Sequence, residues 1–353
     1  MKRRALLLSG MGVALQAHAL PAKALTFPRD CGSHPDFRTE WWYITGYVTA
    51  GNTGTAAQRE FGFQVTFFRS RIDATQGMTS KFAAKQLMFA HAAVTDVQGK
   101  KLLHDQRIAR EGFEVASAQA SDTNVRIKDW SIQRGPTHYT ASVAGQGFSL
   151  ALALKETQAV LLQGDKGLSR KGPDEKQASY YYSLPQLATE GSITLGGQAM
   201  PARGIAWLDH EWSQEVLHPD AVGWDWIGMN LFDGSALTAF QLRDKAGRAL
   251  WDGGSFRTAS GQRFGFSHGE VVFSRQRYWK SPLSQATYCV QWIVRTPADF
   301  YTVKAVIDNQ ELDSRQSTGA IYWEGLSDLF DSNGKHVGRG YLEMTGYASP
   351  LRM

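Results

Sequence analysis

Cysteine is nearly absent from this chain: Cys31 and Cys289 are the only two in 353 residues. That scarcity excludes a disulfide framework and any zinc site built mainly on thiolates. The two thiols can pair in an oxidising compartment if geometry allows, but a single bridge is not a framework. Long hydrophobic runs are also lacking. The apolar core Ala5–Leu15 is too short to span a bilayer and no later stretch is long enough, so no transmembrane segment is expected in the mature chain. Helical periodicity is scarce outside short connectors. A surplus of charge is missing too, once its position is considered. Residues 1–24 hold four of the 38 Lys and Arg and none of the 33 Asp and Glu, so the remainder carries 34 against 33, a net of +1. The basicity belongs mostly to the N-terminus, and a nucleic-acid partner loses its electrostatic support.

What is present begins with an export signal. Lys2-Arg3-Arg4 precedes the apolar core, and Ala17-His18-Ala19 and Ala22-Lys23-Ala24 are small-x-small cleavage motifs. Residues 1–24 are expected to direct the protein, by the general secretory or twin-arginine route, to the periplasm or medium. The rest is rich in Trp (11), Tyr (12), Phe (18) and Gly (35), a mixture that favours strands and tight turns. Strands are expected at Glu40–Val48, Glu60–Arg69, Met88–Thr95, Arg107–Glu114, Tyr139–Ala144, Phe148–Leu154 and Ser192–Leu195. They recur at Leu237–Arg243, Glu270–Ser274, Tyr288–Val294, Thr302–Ile307, Ala320–Glu324 and Gly340–Tyr347, with hairpins at Asp233-Gly234 and Asn333-Gly334. The polar stretch Gln163–Gln177 reads as a long loop leading into Tyr180-Tyr181-Tyr182, an ordered lid. The fold class is all-β, and the length suggests two barrels or sandwiches packed together.

Chemistry concentrates in residues 203–231. With a period of two, Trp207, Asp209 and Glu211 face one way and Leu208, His210 and Trp212 the other. Trp224-Asp225-Trp226 repeats the pattern of a carboxylate between indoles, and Glu40-Trp41-Trp42-Tyr43 and Tyr322-Trp323-Glu324 echo it. Buried charge is costly unless paired, so such stretches either lock two lobes together or carry out proton chemistry. Taken together they suggest one aromatic cavity containing several carboxylates. Gly265-Phe266-Ser267-His268-Gly269 matches the serine-hydrolase elbow, but the following residues read as a strand rather than a helix, which makes it a turn. His210-Glu211 opens like a zinc-protease motif, but Gln214 stands where its second histidine belongs. The nine histidines show no ligand spacing, and neither metal nor cofactor is expected.

These motifs resemble the carotenoid 1,2-hydratase and AttH-like family of predicted secreted hydrolases. The resemblance rests on FPRDCGSHPDFRTEWWYITG (27–46), FAHAAVTD (89–96), QGDKGLSRKGP with ASYYYS (163–183), RGIAWLDHEWS (203–213), GWDWIGMNL (223–231), and YWEG with GYLEMTGY (322–347). It implies two lipocalin-like β-barrel domains, over 25–213 and 214–353, with a ligand region between or within them. It also implies a bulky apolar substrate of isoprenoid, polyene or lipid type, and acid-catalysed hydration or a related proton-driven reaction. The alternative is a carrier serving ABC-transporter components, since the secreted branch is often encoded beside them. His210-x-Trp212 matches the family's His-x-Trp pair, whereas Phe240 and Gln241 stand where its further Tyr and Asp are expected. The expected catalytic set is Asp209, His210, Glu211 and Asp225. The expected lining is Glu40, Trp41, Trp42, Tyr43, His91, Tyr181, Trp212, Trp224, Trp226, Tyr322 and Trp323.

Overall fold

Phe61, Phe63, Val65 and Phe67 alternate with Gly62, Gln64 and Thr66, and the chain there is a strand, Arg59–Arg71, with those four apolar side chains fully buried. The same logic repeats through the molecule. The structure, a computed structural model, describes residues 20–51, 58–215 and 217–351. Most of the segment expected to be an export signal, residues 1–19, lies outside the described residues. Among them no helix is long and apolar enough to cross a membrane.

The strands form two antiparallel sheets, one of thirteen strands between Thr39 and Glu215 and one of ten between Gly223 and Met344. The first is nearly closed into a barrel. At its centre Thr39–Ala50 lies between Arg59–Arg71 and Gln198–Glu215, and Ala178–Leu195 comes next. In the second, Gly223–Leu231 lies between Ala236–Arg243 and His336–Met344, with Ala320–Phe330 beyond. Each sheet curls around its own apolar core. Trp42, Phe63, Trp130, Tyr182 and Trp212 fill the first, and Tyr288, Trp292, Trp323 and Leu342 the second. A third cluster, with Tyr43, Trp207, Trp226, Phe240, Leu326 and Tyr341, forms where the two sheets meet face to face. Apolar side chains fill both cores, and a mostly apolar cavity lies between the two sheets.

Three local expectations shift, each for a physical reason. The strand expected at Arg107–Glu114 runs instead over Lys101–Arg110, because Gly112, Phe113 and Glu114 take φ of 101°, 56° and 59° and break it. The stretch leading from the polar loop is not a lid but the eighteen-residue strand Ala178–Leu195, whose first ten residues are all buried and so show no alternation. The loop itself is a fixed strap. Leu168–Arg170 pairs with that strand, and three bonds pin the strap to the second sheet. Ser255 Oγ donates to Gln163 Oε1 at 2.8 Å, Trp251 Nε1 donates to the Arg170 carbonyl at 3.0 Å, and Arg263 donates to the Gly164 carbonyl.

Cys31 lies in the first core and Cys289 in the second, both buried and unpaired. Burial pushes both thiols up from their ordinary range, which suppresses the reactive thiolate. Neither should react with a disulfide-exchange reagent in the folded protein, and both should react in denaturant. Rapid labelling of either thiol under native conditions would contradict this placement.

Candidate active site between the two sheets

The pleat of Gln198–Glu215 divides the charged stretch. Trp207, Asp209 and Glu211 face the second sheet, while Leu208, His210 and Trp212 point into the first barrel. Thr39–Ala50 divides likewise, with Trp41 and Tyr43 toward the second sheet and Glu40 and Trp42 toward the barrel interior. The face-to-face sheets enclose a cavity of about 310 Å³, mostly apolar in its walls. From the first sheet it receives Trp41, Tyr43, Gln64, Phe68, His91 and Tyr181. The second sheet supplies Trp224, Trp226, Phe240, Tyr322, Glu324 and Glu343, and the strap supplies Lys171.

Four carboxyl groups reach this space. Asp209 accepts from Ser183 Oγ at 2.5 Å and Trp207 Nε1 at 2.7 Å on Oδ1, and from Tyr181 OH at 2.8 Å on Oδ2. Burial outweighs these three donors and pushes Asp209 up to about 7. Glu324 accepts from Tyr43 OH on Oε1 and from Gln64 Nε2 at 3.1 Å on Oε2, which ties the sheets together. Burial and the neighbouring Glu343 raise it well above the carboxylate range. Glu343, opposite Glu324 in the register, accepts from Trp224 Nε1 at 2.8 Å and is likewise pushed by burial up to about 7. Glu211 differs, because Lys171 Nζ lies 3.0 Å from its Oε1 and Ser179 donates to the same oxygen. Lys171 is itself packed over the Tyr181 and Phe240 rings, at 4.8 and 4.3 Å from their centroids. His91 bonds Tyr322 OH at 2.8 Å, and burial lowers it to about 3, so it is neutral. The arrangement can therefore hold protons on carboxyl groups beside indole and phenol rings.

Of the expected residues, Asp209, Glu211, Trp41, Tyr43, His91, Tyr181, Trp224, Trp226 and Tyr322 meet in this cavity. The others are directed elsewhere, because adjacent strand residues face opposite sides. Trp42, His210 and Trp212 belong to a separate cluster in the first barrel. There Glu40 Oε1 lies 2.7 Å from His34 Nδ1 and 3.0 Å from His210 Nε2, and Arg69 Nε donates to Oε2 at 2.8 Å. Glu40 borders the cavity, but its carboxylate belongs to this cluster. Trp212 stacks on His34 at 3.8 Å and Trp42 on His210 at 4.7 Å. Asp225 and Trp323 face the second core, where Asp225 is paired with Arg243 Nε at 2.8 Å and bonded by Gln241 and Tyr347. The single hollow expected for the whole Asp-His-Glu run is thus one cavity between the sheets and one packed polar cluster inside the first barrel.

Folding does gather a possible ligand set, His34, Glu40 and His210, with donor atoms within 4.8 Å of one another. They are joined at hydrogen-bond distance, and the Arg69 cation already occupies the second Glu40 oxygen, so the set is built as an ion-pair network. Ser267 lies in an exposed turn between the Arg263–Phe266 and Val272–Lys280 strands, without the helix an elbow requires. Its neighbour His268 is bonded to Asp252 at 2.7 Å and stacked on Trp251.

Glu343 and Lys171 escaped the sequence reading. Glu343 is a lone acid in Gly-Tyr-Leu-Glu-Met-Thr-Gly-Tyr, and the signal it offered was its place between apolar residues in a strand. Lys171 sat in a stretch read as a loop.

The sequence profile of the AttH-like family matches residues 18–347. A Nitrosomonas europaea crystal structure described as an AttH is 44% identical, covers 93% of this chain and 99% of its own, and superposes with a TM-score of 0.85. Kievitone hydratase from Nectria haematococca has the same fold at 13% identity, with a TM-score of 0.71 over 92% of this chain and 94% of that one. CghA shares it at 10% identity and a TM-score of 0.56, over 94% of each chain. No curated protein matches in sequence.

Proposed function

The chain belongs to the AttH-like family, and from that premise we propose that it is an exported hydratase acting on a bulky apolar, unsaturated substrate of isoprenoid, polyene or lipid type. The observation that carries this reading is the inter-sheet cavity, where carboxyl groups that keep a proton near neutral pH stand among Trp41, Trp224 and Trp226. Adding water to an alkene requires protonation of carbon, then capture of the cation by water. A carboxylic acid held neutral by burial supplies the proton, and indole faces stabilise the positive charge. Kievitone hydratase, named for a hydration, has this architecture. Export belongs to the proposal through the N-terminal signal. Leu20 packs on the first barrel and Lys23 lies 3.7 Å from Asp30, so cleavage after Ala19 rather than Ala24 keeps these contacts.

The reading is tested by incubating the protein with β-myrcene, geraniol and squalene in oxygen-18 water and following label incorporation by mass spectrometry. Incorporation into a new hydroxyl group supports hydration. Retention of an unchanged apolar molecule through purification, with no turnover, supports instead a carrier working with ABC-transporter components.

A second expectation concerns ligand charge. Lys171 is engaged by Glu211 and Arg69 by Glu40, while His91 is neutral. Decanol should therefore bind at least roughly tenfold more tightly than decanoate at pH 8, because an anion entering among carboxylates meets like charge in a poorly screened space. Isothermal titration calorimetry measures this, and equal affinities would contradict the charge balance described.

A further inference from the structure

The carboxyl groups of the cavity are not equivalent, and a count of their oxygens separates them. Asp209 has both oxygens occupied by three donors, and Glu324 has one donor on each. Glu211 carries both of its partners, Ser179 and Lys171, on Oε1. Glu343 has one partner among the described residues, Trp224 on Oε2, and is only half-buried where the other three are buried. Two carboxyl oxygens thus remain without a hydrogen-bond partner among the described residues. They stand on opposite walls, Glu211 on Gln198–Glu215 of the first sheet and Glu343 on His336–Met344 of the second. The two groups differ in one respect that sets their roles. Glu211 has the Lys171 ammonium 3.0 Å from its Oε1, whereas Glu343 has an indole N–H and no ion-pair partner among the described residues.

We propose that Glu343 is the catalytic acid and Glu211 the catalytic base of the hydration, working from facing sheets on one substrate held between them. This rests on the hydration reading above. The Glu343 O–H bond breaks as the alkene π pair forms a new C–H bond, leaving a carbocation against the indoles of Trp41, Trp224 and Trp226. A water oxygen bonds to that carbon, and the proton it sheds passes to Glu211. Glu211 then releases its proton to solvent and Glu343 regains one from solvent, so alkene plus water gives alcohol with no other reactant. Asp209, saturated by Ser183, Trp207 and Tyr181, is a positioning residue that fixes the Tyr181 ring beneath Lys171.

The test uses the whole chain, labelled with carbon-13 at glutamate side-chain carboxyls, together with the three alkenes above. Carboxyl signals are assigned by their loss in Glu343→Gln and Glu211→Gln, and each variant's circular dichroism verifies folding. At about pH 6 the Glu343 signal should be that of a protonated acid and the Glu211 signal that of a carboxylate, the states that acid and base roles require. On an alkene that the wild type hydrates, Glu343→Gln should lower kcat roughly 100-fold and abolish the alkaline limb of the pH profile. KM should stay within about threefold, and Glu343→Asp should recover part of the rate. Glu211→Gln should lower kcat similarly and abolish the acidic limb. An ionised Glu343 at that pH, or a Glu343→Gln variant with normal kcat, overturns the assignment while leaving hydration standing. A wild type that hydrates none of the three overturns the hydration reading, and the catalytic pair falls with it.

Discussion

Arg69→Met is expected to destabilise the protein by about 3–5 kcal/mol, the usual result of removing one partner from a buried ion pair. Arg69 is 1% exposed and its guanidinium serves four acceptors: Glu40 Oε2, Gln86 Oε1, and the carbonyls of His34 and Phe37. Burial alone would raise Glu40, but donation from His210 and His34, with the Arg69 charge, holds it well below the carboxylate range. The methionine fills the space of the Arg stem and leaves that carboxylate charged among Trp42, Trp212 and the two imidazoles. A loss of this size consumes a large share of a domain's net stability and should lower Tm by roughly 10 °C. Arg69→Lys should fall in between, since it restores charge without the planar fork. Equilibrium urea unfolding measures all three proteins. A loss below about 1 kcal/mol for Arg69→Met would show that the network is not what anchors the segment before Thr39.

Asp209→Asn should reverse its effect with pH. In the folded chain Asp209 titrates at about 7, against about 3.9 in an unfolded chain, so between those values the folded state holds the extra proton. Its contribution is therefore fully present below about pH 4 and disappears as pH rises through 7. Asparagine does not titrate. From about pH 5 to 8 the variant should gain on the wild type by on the order of 3 kcal/mol. Burial of neutral His210, lowered to about 4, works in the opposite sense, its contribution weakening as pH falls from about 6.5, but it is common to both proteins and cancels in the difference. Urea unfolding at the two pH values checks this, and parallel pH dependence in the two proteins would show that Asp209 is ionised throughout.

Much of this architecture was legible in the residues. The alternation at Glu60–Arg69 and the hairpin glycines at 234 and 334 announced strands and turns that the chain forms. The period-two reading of Trp207 to Trp212 placed Asp209 and Glu211 on one face and His210 and Trp212 on the other, as the sheets do. What alternation does not specify is what each face meets. Both faces of Gln198–Glu215 are buried at its charged end, one against the other sheet and one inside the barrel, so residues adjacent in sequence there do not share a chamber. The missing partners came from strands and loops far away in the chain. Glu343 reaches Glu324 by cross-strand register, and Lys171 reaches Glu211 because the strap crosses the seam. Such pairings depend on how two separately curled sheets dock, which no local pattern encodes.

The filled interiors of both barrels have a consequence for how such a protein diversifies. A hollow calyx is altered by mutating its own lining, and its stability suffers with each change. Here the reaction vessel is a seam between two solid bodies, and its dimensions follow from the tilt and separation of one relative to the other. Substitutions at the docking rim can therefore widen or reshape the chamber while leaving each apolar core untouched. A polypeptide cut between Glu215 and Gly223 would leave two half-walls and no vessel.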